Sequence, residues 1–108
     1  MTIYCPGMVD RLEQSKALAS QARLSVLGWL ADPQAHFAHQ VTGPPAEIGV
    51  CVTLLAARLE MAQPTVSRHL EVLRRAGFVT VRRIGKWAYF QRNEAALADY
   101  KAWINDHL

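Results

Sequence analysis

Cationic side chains are concentrated in one third of this chain of 108 residues. Between residues 58 and 92, eight basic residues stand against two acidic ones, a local charge of +6; the four basic and seven acidic residues elsewhere sum to −3. Such a concentration points first to a polyanionic partner, and a solvated basic face is the alternative. The eight basic residues are Arg58, Arg68, Arg74, Arg75, Arg82, Arg83, Lys86 and Arg92.

Within this segment, some side chains have the chemistry to read DNA bases. Gln63 can pair bidentately with adenine and Arg68 with guanine, and both fall in the first turns of a predicted helix, the part that reaches base edges. Basic residues that follow in a predicted hairpin suit phosphate. For His69 a structural or phosphate-orienting role is favoured over base reading. The predicted DNA-binding residues are Gln63, Thr65, Ser67, Arg68, His69, Arg82, Arg83 and Lys86.

Two predicted helices within residues 52–76 position the base-reading side chains. The first ends near Leu59 and the second begins near Gln63. Pro64 fits the first turn of the second helix, where a missing N–H costs nothing, and Gly77 suits the position just past its end. Two helices joined by so short a connection predict a helix-turn-helix.

Residues 78–92 change from helical to alternating periodicity. Val79 and Val81 alternate with polar residues, and a turn at 84–86 leads into a second strand-rich run, so a β-hairpin with a cationic tip is predicted. A helix-turn-helix followed by a basic hairpin is the order of a winged helix, whose second helix enters the major groove while the hairpin reaches phosphates or the minor groove. The predicted fold is mainly α with a two-stranded β-hairpin wing, a winged helix-turn-helix of about five helices.

Three further helices are predicted, at residues 8–19, 21–31 and 93–107. Ser20 and Asn93 are the expected caps of the last two. The last helix carries a wide aromatic face, which we expect to pack on another surface. The predicted apolar faces comprise Met8, Val9, Leu12, Leu18 and Ala19; then Leu24, Val26, Leu27 and Leu30; and Ala96, Leu97, Tyr100, Trp103 and Ile104.

Residues 32–49 contain three prolines and two glycines, and are predicted to be a loop with at most a single turn of helix. Loops of this length are uncommon in small domains and tend to be functional or mobile. His36 and His39 could share a helical face, but two imidazoles without a third ligand make a poor metal site.

Length and composition exclude several classes of protein. A chain of 108 residues with 51% hydrophobic and 19% charged residues predicts one globular domain, 1–108. The longest nearly uninterrupted apolar stretch, 48–57, is about half the ~20 residues that span a bilayer, and the N-terminus lacks a secretory leader. We therefore expect a cytoplasmic protein with no membrane span. Because no nucleophile–base pair, phosphate-binding loop or full set of metal ligands is evident, we do not expect an enzyme.

Residues 55–79 resemble the helix-turn-helix signature of the ArsR/SmtB family of bacterial repressors. The core of the resemblance is Gln-Pro-Thr-Val-Ser-Arg-His-Leu at 63–70, followed by Leu-Arg-Arg-Ala-Gly at 73–77. Residues 82–90 are similar to the family's wing, and 18–24 to the entry of its second helix.

The resemblance implies how such a protein would work. It implies a homodimer built from the helices within 8–31 and 93–107, bound to double-stranded operator DNA with dyad symmetry and released when an effector binds. Glu60 stands where the family usually has a turn glycine, and Ala62 where it usually has a capping serine. Loss of that cap should cost about 1 kcal/mol, but neither departure removes a groove-facing residue.

Members of the family commonly sense metals or metalloids through a Cys-Val-Cys pattern at the start of their third helix. Here Cys51 retains the first cysteine and Thr53 replaces the second, so the thiolate set that soft ions need is incomplete. Thr53 is also the expected N-cap of this helix. Some members draw ligands from the N-terminal arm, which makes Cys5 of one subunit and Cys51 of the other a candidate pair. The pair could bind a thiophilic metal or metalloid ion, or form a disulfide or polysulfide bridge.

Other functions remain open at this point. Cys51 could be a small buried hydrophobe and Cys5 an inert surface thiol, which leaves a regulator with a non-thiol effector or none. A protein-interaction module that uses the wing and the last helix is a further alternative, and steep salt dependence would distinguish DNA binding from it.

Overall fold

The structure, a computed structural model, describes residues 10–108. The five helices expected from the sequence are present in this range as α1, α2, α5, α6 and α7, together with two short ones. The elements are α1 (Arg11–Ala17), α2 (Gln21–Ala31), α3 (Pro33–Phe37), α4 (Pro45–Ile48), β1 (Val50–Cys51), α5 (Val52–Leu59), α6 (Gln63–Arg75), β2 (Val79–Ile84), β3 (Trp87–Arg92) and α7 (Glu94–His107).

Local capping signals set most helix ends where the sequence predicts them. The side chain of Ser20 accepts a hydrogen bond from a backbone N–H in the first turn of α2, and Asn93 does the same for α7. In α6, Pro64 occupies the first turn, and Gly77 follows the helix with φ 85°. The predicted bounds of α2, α5, α6 and α7 therefore hold to within one residue.

The expectation for residues 32–49 was wrong, because α3 and α4 both lie in this segment. Asp32 caps α3 by accepting a hydrogen bond from the backbone N–H of Ala35. Pro33 and Pro45 are the first residues of the two helices. At that position proline loses no helical hydrogen bond and its φ is already suitable, so the prolines begin helices here.

The hairpin predicted as the wing is joined by a third strand. In β2 and β3, Ile84 pairs with Trp87, so the turn consists of Gly85 and Lys86. Gly85 has φ 60°, as expected for a glycine at the first position of a two-residue hairpin turn. β1 pairs antiparallel with the other side of β3, in the strand order β1-β3-β2. Because α5 begins directly after β1, the wing is tied to the helix-turn-helix.

Thr53 is not the cap of α5, contrary to expectation. The helix starts one residue after β1, so Cys51 occupies the N-cap position, without a side-chain capping bond. Thr53 lies inside the first turn, and its hydroxyl donates to Sγ of Cys51 at 3.3 Å.

The core forms where the helices meet the sheet. None of the helices described between residues 10 and 108 has the length and apolar character needed to cross a membrane. Buried side chains from α2, α5, α6, α7 and the sheet, with Phe78 just before β2, include Val26, Leu55, Val66, Leu70, Leu73, Phe78, Val79 and Ala96.

Two leucines of the predicted apolar faces point away from this core. Leu12 is 63% exposed and Leu24 is 47% exposed. The buried residues of α1 are Ala17 and Gln14, and the side-chain amide of Gln14 donates to the carbonyl of Ala76 at 3.4 Å, so a polar residue takes one of the inward positions. Leu24 lies two residues from the buried Val26, and residues so spaced point to nearly opposite sides of a helix. Met8 and Val9 lie outside the described residues.

Candidate nucleic-acid interface

The connection between α5 and α6 sets how α6 is presented. Glu60 ends α5 in the left-handed region, with φ 55°, and the N–H of Met61 donates to the carbonyl of Ala56. Ala62 is the N-cap of α6 and makes no side-chain capping bond. A glycine would suit the left-handed backbone at residue 60 better than Glu60, and a serine would suit the N-cap position at residue 62 better than Ala62. The turn forms without either of them.

The packing of α6 determines which of its side chains reach solvent. Val66, Leu70 and Leu73 are buried against the core. Because residues at this spacing share one face of a helix, the residues between them face outward. The exposed residues include the four that the sequence predicts to read bases, Gln63, Thr65, Ser67 and Arg68.

An open cleft of about 690 Å³ lies between α6 and the hairpin. Gln63 and Ser67 line it from the helix, and Arg83 and Lys86 line it from the wing. The fold thus brings four of the eight predicted DNA-binding residues to one cleft. Thr65, Arg68 and Arg82 are exposed but are not among its lining residues, and His69 is half-buried.

Three of the eight cations in segment 58–92 are used within the protein. The guanidinium of Arg58 lies 4.7 Å from the ring centroid of Trp29. Arg74 pairs with Glu71 through two hydrogen bonds, and Arg92 pairs with Glu94 and also donates to a backbone carbonyl. The other five cations of the segment are exposed and form no ion pair among residues 10–108, although Nζ of Lys86 lies 5.6 Å from the Trp87 ring centroid: Arg68, Arg75, Arg82, Arg83 and Lys86. The charge available to a partner is therefore smaller than the sequence sum and lies on α6 and the wing.

His69 contacts a residue that the sequence pattern does not indicate. Its Nδ1 lies 2.9 Å from Nη1 of Arg23. The Arg23 side chain also donates to the carbonyls of Ala17 and Lys16, at 2.7 Å and 3.2 Å, and so joins α6 to the α1–α2 junction. Burial, with the Arg23 charge as a second cause, lowers the pKa of His69 below its ordinary value of 6.5. The contact supports a structural role for His69 over base reading.

Cys51 is buried at the root of the wing. Its backbone N–H donates to Oε1 of Gln40 at 2.9 Å, and Thr53 donates to its sulfur. The residue at the second position of the Cys-Val-Cys pattern therefore does lie beside Cys51, but it offers a hydroxyl in place of a thiolate. Cys5 falls outside the described residues, so its position relative to Cys51 stays a prediction.

The two histidines of segment 32–49 both contact Phe37. Their ring centroids lie 6.4 Å from the phenyl centroid, and the backbone carbonyl of His36 accepts a hydrogen bond from Arg58. Over the described range 10–108, no three His, Cys, Asp or Glu side chains come together as a metal-binding group. The structure thus gives His36 and His39 no third ligand among those residues.

Helices α1 and α7 pack side by side. The hydroxyl oxygens of Ser15 and Tyr100 are 2.8 Å apart, and Arg11 forms a 2.9 Å ion pair with Asp99. The guanidinium of Arg11 also lies 5.4 Å from the ring centroid of Trp103. Leu12, the residue after Arg11, projects into solvent. The pair of helices therefore leaves an apolar side chain uncovered.

Known proteins with similar sequences are regulators of transcription. Residues 50–81 match the family described as "Bacterial regulatory protein, arsR family". The uncharacterized HTH-type transcriptional regulator YbzH of Bacillus subtilis is 41% identical over 85% of this chain and 95% of its own length. A putative arsenical resistance operon repressor, ArsR2 of Halobacterium salinarum, is 36% identical over 82% of this chain and 69% of its own.

Solved structures agree on the fold. An ArsR family transcriptional regulator superposes with a TM-score of 0.69 at 22% identity, covering 98% of this chain and 91% of that one. The homodimeric winged helix-turn-helix DNA-binding domain of Mb0332 from Mycobacterium bovis has a TM-score of 0.61 at 26% identity, covering 88% of this chain and 76% of that one. With its winged helix-turn-helix and these relatives, the chain belongs to the arsR family of bacterial regulatory proteins, which are DNA-binding transcriptional regulators and not enzymes.

Proposed function

We propose that this protein is a homodimeric cytoplasmic repressor that binds a dyad-symmetric operator and releases it in response to a thiol-reactive effector. The observation that carries the proposal is the cleft shared by α6 and the wing, where Gln63 and Ser67 face Arg83 and Lys86. The α6 wall presents amide and hydroxyl groups beside the Glu71–Arg74 ion pair, and the wing wall presents cations, an arrangement that fits base edges beside a phosphate backbone.

The two walls have different tasks. In α6, Gln63 and Arg68 discriminate adenine and guanine by bidentate pairing, and Thr65 and Ser67 add single contacts. The wing supplies Arg82, Arg83 and Lys86 to phosphates. The Arg23–His69 contact at 2.9 Å gives His69 the task of holding α6 in place. Within the single domain 1–108, residues 52–76 thereby read bases and residues 78–92 bind the DNA phosphate backbone.

Dimerisation is assigned to the helices within residues 8–31 and to α7. The exposed Leu12 beside the packed α1–α7 pair supports this, since a partner copy would bury it. The similar domain from Mycobacterium bovis is itself homodimeric, which supports a homodimer for this chain. A two-fold axis between the copies would set the two α6 helices about 34 Å apart, one turn of DNA, and the operator would share that symmetry.

The thiol of Cys51 is the proposed sensing group, paired with Cys5 of the other subunit. Cys51 lies in β1, which pairs with the wing strand β3, so a bond formed at its sulfur would act on the root of the wing. A soft metal or metalloid ion and an oxidised or polysulfide bridge are the two chemistries that two thiols can provide.

A DNase footprint on the promoter region of the chain's own gene tests the proposal. We expect a protected site with two half-sites, and loss of protection with at least one of cadmium, arsenite, peroxide or polysulfide. The variants Cys5→Ser and Cys51→Ser should keep the footprint and lose that response. The matched control is Ser25→Cys, which adds a thiol to α2 and should respond as the parent chain does.

Two results would contradict the proposal. Absence of a protected site at the promoter would overturn operator binding there. An unchanged response in both cysteine variants would overturn thiol sensing while leaving DNA binding in place.

A further inference from the structure

A second, smaller concavity of about 160 Å³ lies at the root of the wing. Cys51 and Leu54 line it from the start of α5, Trp87 and Tyr89 from β3, and His39 and Thr42 from the segment between α3 and α4. Three parts of the chain that are distant in sequence therefore line one open space, and no DNA-binding residue named above belongs to it.

The size and lining of this space define what it can hold. A cavity of roughly 150 Å³ lined by apolar side chains is large enough to bind benzene. The Trp87 and Tyr89 rings can pack against another ring in offset or edge-on geometry. The lining contains no Asp, Glu, Lys or Arg side chain, so an ionised molecule would lose hydration there without gaining an ion pair with one of these groups.

Two polar side chains of the lining, Gln40 and Thr53, are already hydrogen-bonded within the protein. Both amide ends of Gln40 are used, because its nitrogen donates to the carbonyls of Gly43 and Gly49 and its oxygen accepts from Cys51. The Thr53 hydroxyl donates to Sγ of Cys51 and keeps its acceptor capacity. The space therefore suits a mostly apolar ring with one hydroxyl or N–H group.

Trp87 connects this pocket with the DNA-facing cleft, since it lines both of them. It pairs with Ile84 across the last position before the hairpin turn, and Nζ of the adjacent Lys86 lies 5.6 Å from its ring centroid. A ring placed in the pocket would touch the Trp87 indole. A change in the orientation of the indole would move the Lys86 ammonium, which we assign to phosphate binding.

We propose that this pocket binds a small neutral aromatic molecule, of the phenol or indole class, and that its occupancy alters DNA affinity through Trp87. The binding step stands by itself. Only the effect on DNA rests on the proposed function.

The site is tested by titrating the isotope-labelled full chain with phenol and with indole while backbone amide and Trp side-chain NMR signals are recorded. Saturable shifts should centre on Cys51, Leu54, Trp87 and Tyr89, with a Kd on the order of 0.1–1 mM for ligands of this size. Benzoate, a charged ring of similar size, should bind at least about tenfold more weakly.

Two wing variants provide a matched pair. Trp87→Ala removes a wall of the pocket and should weaken phenol binding by about tenfold. Ile84 is the cross-strand partner of Trp87 but does not itself line the pocket. Ile84→Ala should therefore leave phenol binding unchanged. Shifts centred on Trp29 or Trp103, absence of saturation, or equal binding of benzoate would overturn the site.

The regulatory step has its own readout. Saturating phenol should weaken promoter-DNA binding on the order of tenfold, and saturating DNA should weaken phenol binding by the same factor. Phenol binding with unchanged DNA affinity would overturn the coupling. The NMR titration needs no DNA and no free thiol. The pocket test therefore stays valid if the protein does not bind its promoter, and also if Cys51→Ser keeps the thiol response.

Discussion

Nδ1 of His69 and Nη1 of Arg23 lie 2.9 Å apart, and this contact ties the DNA-facing helix α6 to the junction of α1 and α2. A guanidinium can only donate, so Nδ1 accepts and the imidazole is neutral. Protonation of His69 would leave two cations facing each other and remove the acceptor. This side-chain link between α6 and the α1–α2 junction thus depends on the protonation state of His69.

The Arg23–His69 contact predicts a defined acid sensitivity. Burial and the Arg23 charge lower the pKa of His69 in the folded chain below 6.5, so the unfolded chain takes up this proton first as pH falls. The His69 contribution to the free energy of unfolding should be fully present above pH 6.5 and be lost as pH falls from there to the folded pKa. Arg23→Met should move the pKa of His69 upward, part of the way to 6.5, because burial remains.

An NMR titration of the His69 ring measures this shift directly. The ring of His36, which contacts Phe37, serves as the reference signal in the same spectra. If Arg23→Met leaves the pKa of His69 unchanged, the guanidinium has no electrostatic effect on the imidazole.

The uncapped start of α6 predicts that Ala62→Ser stabilises the protein. Ala62 already has the extended backbone of an N-cap, with φ −63° and ψ 141°, and lacks only a side-chain acceptor. The free energy of unfolding in urea should rise by about 1 kcal/mol. Ala57→Ser, at an exposed position inside α5, is the matched control and should give no gain. Equal effects of the two substitutions would contradict the capping argument.

Features of the fold set by neighbouring residues were predictable, and those set by distant ones were not. The caps Ser20 and Asn93 and the Pro64 signal act within one helical turn, which is why the ends of α2, α6 and α7 agree with the structure. β1 has two residues and pairs with a strand almost forty residues later, so no local periodicity reveals it.

The site shows the same division. The outward residues of α6, such as Gln63 and Ser67, follow from the helical period, since the buried residues fix the other face. The Arg23–His69 contact spans 46 residues and links two helices whose packing only the fold defines. Likewise, the charge sum counted Arg92 as available, whereas its hydrogen bond to a carbonyl of α2, 65 residues away, depends on the tertiary structure.

Replacing one hydroxyl should rebuild a soft-ion site at Cys51. Because Oγ1 of Thr53 lies 3.3 Å from the Cys51 sulfur, Thr53→Cys places a second sulfur beside the first. In a Cys5→Ser background, Thr53→Cys should bind cadmium or arsenite more tightly than the parent, because soft ions gain stability from each added thiolate. Thiolate-to-metal charge-transfer absorption reports the binding. Thr53→Ser, which keeps the hydroxyl, is the control, and equal absorption in the two variants would contradict this geometry.

The exposed Leu12 predicts where a second copy binds. If α1 and α7 form the dimer interface, Leu12→Glu loses apolar burial worth about 1.5–3 kcal/mol and adds a buried charge, so the dimer Kd should rise by at least about tenfold. Sedimentation equilibrium measures that constant. Val41→Glu, at a residue 95% exposed outside α1 and α7, should leave it unchanged. Equal dimer constants for the two variants would place the interface elsewhere.

The salt dependence of promoter-DNA binding tests the central claim, that α6 and the wing form the face that meets DNA. The logarithm of affinity against the logarithm of salt concentration should fall linearly, and Arg82→Ala should reduce the magnitude of the slope by about one, because one phosphate contact is lost. Lys101→Ala removes the same charge from the exposed face of α7 and should leave the slope unchanged. An unchanged slope in Arg82→Ala, or an equal reduction in Lys101→Ala, would contradict the assignment of this face to DNA.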